Sequence, residues 1–287
     1  MASLYTRKDI VSAYEVIQEH RLAKTVIQEH ARNPRDIREV ALEGLDPIDA
    51  ARVLDLGCGY GFFTESLKGR LRAGARILGI DLVDRSNRAA FLDTVSGMGY
   101  EGEFICASAD IIRDMDDAGF ELVIASYSLY FFPHLIHEIA RVLSPHGVFI
   151  AVTHSRHSLK EVTGLVPRSM EMAGVAPPPE ITLNRLFGAF CLENGHELLA
   201  ASFDEVERIV YPNELVFPLE RVGECIDYLD TKRHLIFKDA MESHPLRIDD
   251  MVTFFHDMVF EHARARGGIV LSKDDAVFRC RRPRRGA

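Results

Sequence analysis

Three glycines spaced by two, Gly57, Gly59 and Gly61, close an apolar run that reads Val53-Leu54-Asp55-Leu56. Twenty residues after Gly61 a second apolar run, Ala75 to Ile80, ends in Asp81. Glycines at such a strand-to-helix turn remove every Cβ from one side, so backbone N–H groups can approach a ligand. Asp55 and Asp81 add negative charge and hydrogen-bond acceptors at the same edge. A pyrophosphate cradle of the form Gly-x-Gly-x-x-Gly would need glycine at 62, where Phe62 stands, so the spacing disfavours a dinucleotide.

The elements that must hold these groups alternate as parallel βαβ units do. Strands are expected at 51–56, 76–81, 103–107, 122–126 and 148–153, with helices at 62–71, 87–98 and 135–143. Ligands of such sheets bind outside the carboxyl ends of the strands, where Asp55, Asp81, Asp110 and Ser126 all fall. Before the sheet, residues 8–41 are helical and charged; Val-Ile-Gln-Glu-His occurs at 16–20 and again at 26–30, too short a unit for a structural repeat. After it come helical blocks at 155–200, interrupted by Pro177-Pro178-Pro179, and at 219–266, with strands at 206–217 and 269–279.

The glycine loop, Phe120-Glu121-Leu122-Val123, and Arg141-Val142-Leu143-Ser144-Pro145-His146-Gly147 together resemble the class I S-adenosylmethionine-dependent methyltransferase family. They cover roughly residues 50–155. Glu121 and His146 depart from the family's usual aspartate and glycine, changes that touch turn geometry. The segments 190–203 and 273–278 are similar to a bacterial branch of small-molecule methyltransferases. The resemblance implies a doubly wound, mostly parallel, seven-stranded Rossmann-like α/β sheet. It implies an N-terminal helical cap segment at 1–45 and a methyltransferase domain at 46–287, with cap insertions at about 155–200 and 219–266 covering the open end of the sheet. The implied cofactor is S-adenosyl-L-methionine. Gly57, Cys58, Gly59 and Gly61 would form its loop and Asp55 would answer its ammonium. Asp81 would accept from the ribose hydroxyls, Leu82 and Ile111 would wall the adenine, Asp110 would accept from the exocyclic amine, and Ser126 would complete the site. For Asp110 a helix N-cap is the competing role.

Methyl transfer from a sulfonium is an in-line displacement, so the protein chiefly orients the acceptor and excludes water. A base is needed only for an acceptor of high pKa. His154, directly after the fifth strand, is the candidate base. Tyr127 and Tyr130, in the aromatic stretch Ser126 to His134, combine an apolar wall with a polar tip, whereas Phe131 and Phe132 suit the core. Met251, Phe254, Phe255 and Met258 mark one apolar helix face that could line a pocket for a small organic acceptor.

Composition sets the outer limits. With 34 basic against 43 acidic residues the net charge is −9, which argues against nucleic acid held by phosphate neutralisation. The basic run Arg281-Arg282-Pro283-Arg284-Arg285 reads as a solvated tail. Five cysteines, at 58, 106, 191, 225 and 280, show no metal-ligand spacing, so no metal is expected and a reducing, cytoplasmic setting fits. No stretch of about eighteen apolar residues is present, so no membrane span is expected. The expected activity is methylation of a small molecule at oxygen, nitrogen or carbon. A non-enzymatic protein that binds the same cofactor is the alternative, and an NAD(P)-dependent oxidoreductase a weaker one. The acceptor and the oligomeric state are not legible.

Overall fold

A computed structural model describes residues 4–45 and 48–285, so the outermost ends of the chain and the 45–46 domain boundary lie partly outside the described residues. The chain divides into two compact units. One contains residues 35–154, 189–211 and 275 onward; the other contains the segment up to Pro34 together with 155–188 and 212–274. The segments 35–45 and 189–200, expected with the cap, thus group with the sheet.

The sheet unit is built on β1 (Arg52–Leu56), β2 (Arg76–Asp81), β3 (Glu101–Cys106), β4 (Phe120–Ser126), β5 (Leu143–His154), β6 (Phe203–Tyr211) and a final strand, Asp275–Pro283. β1 runs between β2 and β4, and Val53, Leu54, Leu122, Val123, Ile124 and Ile150 have no exposed surface. Such continuous apolar runs are what a strand covered on both faces requires. In a second, two-stranded sheet, β7 (Glu214–Pro218) pairs antiparallel with β8 (Gly268–Ser272). The final strand, β9, runs antiparallel between β5 and β6, giving the order 3-2-1-4-5-9-6, so all neighbours from β3 through β5 are parallel. This is the doubly wound, mostly parallel seven-stranded sheet of the class I methyltransferases.

Three local expectations need correction. The helix expected at 62–71 is only a 3-10 turn, Thr64–Leu67, and Gly69, at φ +73, stops any helix from continuing to 71. The strand expected at 206–217 is two strands, β6 and β7, and that at 269–279 is also two, β8 and β9. Both ladders break at one level, since Pro212 brings no N–H and the Asn213 N–H instead donates to Asp274 Oδ1 at 2.9 Å. The arginine run is no free tail. Arg281 and Arg282 lie in β9, Arg284 pairs with Asp204 at 2.9 Å, and Arg285 donates to the carbonyls of Arg141 and Leu143.

The helical unit includes helices Arg7–Tyr14, Ile17–His30, Val222–Asp230 and Ile248–Arg266. On the last of these the buried stripe is Met251, Phe255, Val259 and Ala263, at a strict i+4 spacing; Phe254 and Met258 are only half-buried. None of the described helices is long and apolar enough to cross a membrane.

Candidate active site

Gly57 follows the last residue of β1 with φ +70, and a Cβ there would stand 2.5 Å from the Cβ of Ser128. No side chain fits at that crossing. Ser128 Oγ donates to the Leu56 carbonyl at 2.6 Å, which clamps the segment after β4 onto the loop. The loop amides do not face outward as the glycine pattern suggests. Gly57 and Cys58 donate to the Ile80 carbonyl at 2.8 and 3.2 Å, and Gly59 donates to Asp81 Oδ2 at 2.9 Å. What the loop offers a ligand is bare backbone at Gly59, which has φ +51 and no atom within 4 Å of the point where a Cβ would stand. Cys58 is buried, and burial, then Asp55 and Asp81, push its thiol upward, so it stays protonated.

The two acids have unequal surroundings. Asp55 is 1% exposed and accepts from Thr64 Oγ1 at 2.5 Å. Burial pushes its carboxyl up to about 7, with Thr64 pulling it down and the Asp81 charge pushing it further up. Asp81 is half-buried; besides Gly59 it accepts on Oδ1 from Val83 N at 2.8 Å and Asn87 Nδ2 at 3.2 Å. Burial raises it too, against those hydrogen bonds. Among the described residues neither carboxylate has a basic partner. Two acids in a low-dielectric edge, without a cation, suit a ligand that brings a positive charge and hydroxyl donors. The residues therefore fit the cationic, ribose-bearing cofactor that the resemblance implies.

Leu82 and Ile111 are both half-buried, and Ser126 ends β4 in register with Val152. Asp110 is exposed and lies on a 3-10 turn, Ala109–Asp114, whose N-cap is Ser108 and not Asp110. Asp110 Oδ2 accepts from Ser108 Oγ at 2.7 Å and Oδ1 contacts His134 Nε2 at 3.1 Å. Those bonds, Ser108 first, hold its carboxyl below the usual range.

The ends of β4, β5 and β9 bring together a cluster that sequence reading only half found. His154 Nδ1 lies 2.8 Å from Asp275 Oδ1, and Tyr127 Oη donates to Asp275 Oδ2 at 2.9 Å. Asp275 is 2% exposed. The Tyr127 and His154 rings lie 4.5 Å apart, and the Tyr130 ring stands 6.0 Å from His154 and nearly parallel to it. A carboxylate accepts and cannot donate, so Nδ1 of His154 carries a proton and the neutral ring presents Nε2 as its basic nitrogen. Burial, then Asp275, push the Tyr127 phenol well above its usual value, so it remains a neutral donor. Tyr127 also takes φ +53, a backbone conformation costly for a non-glycine residue, one position before the Ser128 clamp. Asp275 was missed because it stands 121 residues from His154 in sequence; only the antiparallel β5–β9 register sets them opposite each other. An acid at the head of an otherwise apolar run, Asp275-Ala276-Val277-Phe278, is the signal that could have found it.

In the helical unit, Glu29, His30 and Glu224 bring three ligand-type atoms close together. Arg221 already supplies the cation: its guanidinium reaches Glu29 and Glu224, each at 2.5 Å, while His30 Nε2 meets Glu224 at 2.8 Å.

Residues 54–151 match the methyltransferase domain family. The ubiquinone biosynthesis O-methyltransferase of Paracidovorax citrulli is 27% identical over 165 residues, 53% of this chain and 67% of that protein. The mitochondrial enzyme of the same name from Bos taurus is 30% identical over 172 residues, 58% of this chain and 45% of that protein. The chain thus spans two-thirds of one of these curated relatives and less than half of the other. Among solved structures, phosphoethanolamine N-methyltransferase 2 of Haemonchus contortus, in complex with S-adenosyl-L-methionine, superposes with a TM-score of 0.51 at 14% identity, covering 99% of this chain and 61% of that one. The cyclopropane synthase MmaA2 of Mycobacterium tuberculosis gives 0.51 at 13% identity, covering 96% and 99%. These two likenesses speak to the fold alone. The strand order, the glycine loop and the domain match agree: residues 54–151 carry a methyltransferase domain on the class I S-adenosylmethionine-dependent methyltransferase fold.

Proposed function

We propose that this protein transfers a methyl group from S-adenosyl-L-methionine to a hydroxyl of a small organic acceptor. The observation that carries the cofactor is the pair Asp55 and Asp81, two carboxyls without a basic partner among the described residues, flanking bare backbone at Gly59. When bound, the cofactor supplies an activated methyl on a sulfonium. Asp55 would meet its ammonium and Asp81 its ribose hydroxyls. Leu82 and Ile111 would wall the adenine, with Asp110 at its amine and Ser126 at the strand end.

His154 is proposed as the base. Asp275 holds Nδ1–H, so Nε2 can take the acceptor's proton as the acceptor oxygen attacks, and the carboxylate stabilises the imidazolium that forms. Tyr127 and Tyr130 hold the imidazole ring in place and keep water from it. Hydroxyl methylation is favoured over amine or carbon methylation because a base built from two strand ends serves an acceptor that must lose a proton. The O-methyltransferase names of the curated relatives support the same reading. We further propose a reducing, cytoplasmic setting, which suits five free thiols, four of them buried.

Calorimetric titration with S-adenosylhomocysteine tests the cofactor, and an Asp81→Asn variant should weaken binding by about tenfold or more for the loss of charge-assisted hydrogen bonds. A methyl-release screen over phenols, enols and carboxylic acids then tests the activity. Binding without release across that panel would support the non-enzymatic alternative, and no binding at all would overturn the cofactor assignment.

A further inference from the structure

The seven-stranded sheet ends in two outer strands, β3 and β6, and its two edges differ in chemistry. On β3, Glu101 and Glu103 stand exposed on one face, on either side of Gly102. Like charges and a glycine discourage a further strand from pairing there. β6 lacks these guards. It runs for nine residues without proline, glycine or lysine, and Asp204, Glu205, Glu207, Arg208 and Val210 are exposed. Val210 alone leaves 48% of its surface in solvent. One side of β6 pairs with β9, and among the described residues no strand takes the other side. The outward-facing amides and carbonyls of such an edge are a template for another strand.

The side chains of β6 select the partner. Alternation puts Asp204, Val206, Arg208 and Val210 on one face and Glu205, Glu207 and Ile209 on the other. A second copy that continues the sheet antiparallel is related by a two-fold axis normal to it, which keeps each face on its own side. Each residue then meets one from the same face, and the registers differ in which residue lies on the axis. With Val206 on the axis, Asp204 of each copy stands opposite Arg208 of the other, twice by symmetry. Both groups can use that pairing. Among the described residues Arg208 has no ion pair. The Asp204 side chain is 56% exposed and gives Oδ1 to Arg284, which leaves Oδ2 to accept. On the reverse face Glu205 meets Glu207, and each brings an arginine of its own from β9, Arg282 and Arg279. The neighbouring registers set Glu205, Glu207 or Arg208 against its own image, like charge to like charge.

We propose that β6 is a self-association edge: two copies of this chain pair their β6 strands antiparallel about Val206, with an Asp204–Arg208 pair on either side of the axis. The edge lies within the sheet unit and stands independently of the methyl-transfer reading.

Sedimentation velocity on the full chain at rising concentration should show a monomer giving way to a dimer. Two charge variants at exposed positions test the register. Arg208→Asp opposes acid to acid and Asp204→Arg opposes base to base, so each alone should weaken the dimer at least tenfold as two unlike pairs become two like ones. Mixed in equal amounts, the two variants should form a heterodimer close to wild type in affinity, because acid again meets base on both sides of the axis. Amide hydrogen exchange across residues 204–210 should slow several-fold as the wild-type protein is concentrated, which a dimer through another surface would not produce. A wild-type chain that stays monomeric, an Arg208→Asp variant that dimerises undiminished, a mixture that fails to recover association, or a dimer whose β6 amides exchange as in the monomer overturns the proposal.

Discussion

His154 and Asp275 face each other across the antiparallel register of β5 and β9, with Nδ1 and Oδ1 2.8 Å apart. Each is the terminal residue of its strand at the edge where the glycine loop lies. A conservative replacement separates charge from shape. In Asp275→Asn the amide oxygen can still accept from Nδ1–H, and the Tyr127 hydroxyl can turn to accept from the amide nitrogen. The stabilising negative charge is gone. With an identified acceptor, kcat should fall by about 100-fold, the scale of a general base deprived of its partner. The acidic limb of the pH–rate profile should move to lower pH, because the imidazolium has lost its counter-ion. A purely structural role would lower stability and leave the limb in place.

Tyr127→Phe keeps the ring against His154 and removes only the donor to Asp275. A carboxylate that is 2% exposed then loses one of its hydrogen bonds, at a cost of about 1–3 kcal/mol. Urea denaturation should show that loss as a lower midpoint with an unchanged slope. Turnover should fall less than in Asp275→Asn, since Nδ1 keeps its acceptor. An unchanged midpoint would mean that the phenol contributes packing alone.

The carboxyl of Asp55 leads to a pH dependence of unusual sign. Its native value of about 7 lies above the ordinary carboxylate value of about 4, so between the two the native state binds more protons than the unfolded chain. Stability should therefore decline as pH rises from about 4 to about 7 and level off above that range, and Asp81, also raised, acts in the same direction. At about 1.4 kcal/mol for each pH unit between the two values, the whole decline amounts to a few kcal/mol at most. Asp55→Asn should flatten it in chemical denaturation followed across pH. A ligand ammonium would favour the ionised form, so S-adenosylhomocysteine binding at pH 6 should release protons, read as a dependence of the calorimetric enthalpy on buffer. No proton release would separate Asp55 from the ammonium.

Residues that declare themselves through local chain geometry were legible in the sequence. Gly57 and Gly59 sit at positive φ where the spacing placed a tight turn, and Asp55 and Asp81 end β1 and β2 or lie one residue short of the end. The parallel βαβ alternation followed from apolar runs set by burial on two faces. Three things did not follow. The direction of the loop amides depends on the Ile80 carbonyl and the Asp81 carboxylate, a neighbouring strand that the loop's own residues do not specify. Asp275 acquires its role only through pairing across more than a hundred residues. The break at Pro212 and Asn213 came from competition between strand continuity and a side-chain hydrogen bond to Asp274, which periodicity cannot weigh.

The same substitution at two loop glycines should have separable effects, which tests whether the loop serves packing or ligand. Gly57→Ala places a Cβ 2.5 Å from the Ser128 Cβ and 3.0 Å from its Oγ, at φ +70. The segment after β4 must move, and the Ser128 bond to the Leu56 carbonyl breaks with it. Overpacking of this kind, with the backbone strain added, should cost about 3 kcal/mol. Gly59→Ala meets no atom within 4 Å and bears only the strain of φ +51, about 1 kcal/mol. Its methyl group projects into the open space proposed for the cofactor, so S-adenosylhomocysteine affinity should fall at least tenfold while the fold survives. Denaturation midpoints and calorimetric titrations on the two variants give the comparison directly. Gly59→Ala binding as tightly as wild type would place the cofactor elsewhere, and Gly57→Ala as stable as Gly59→Ala would mean that the clamp between the two segments is loose.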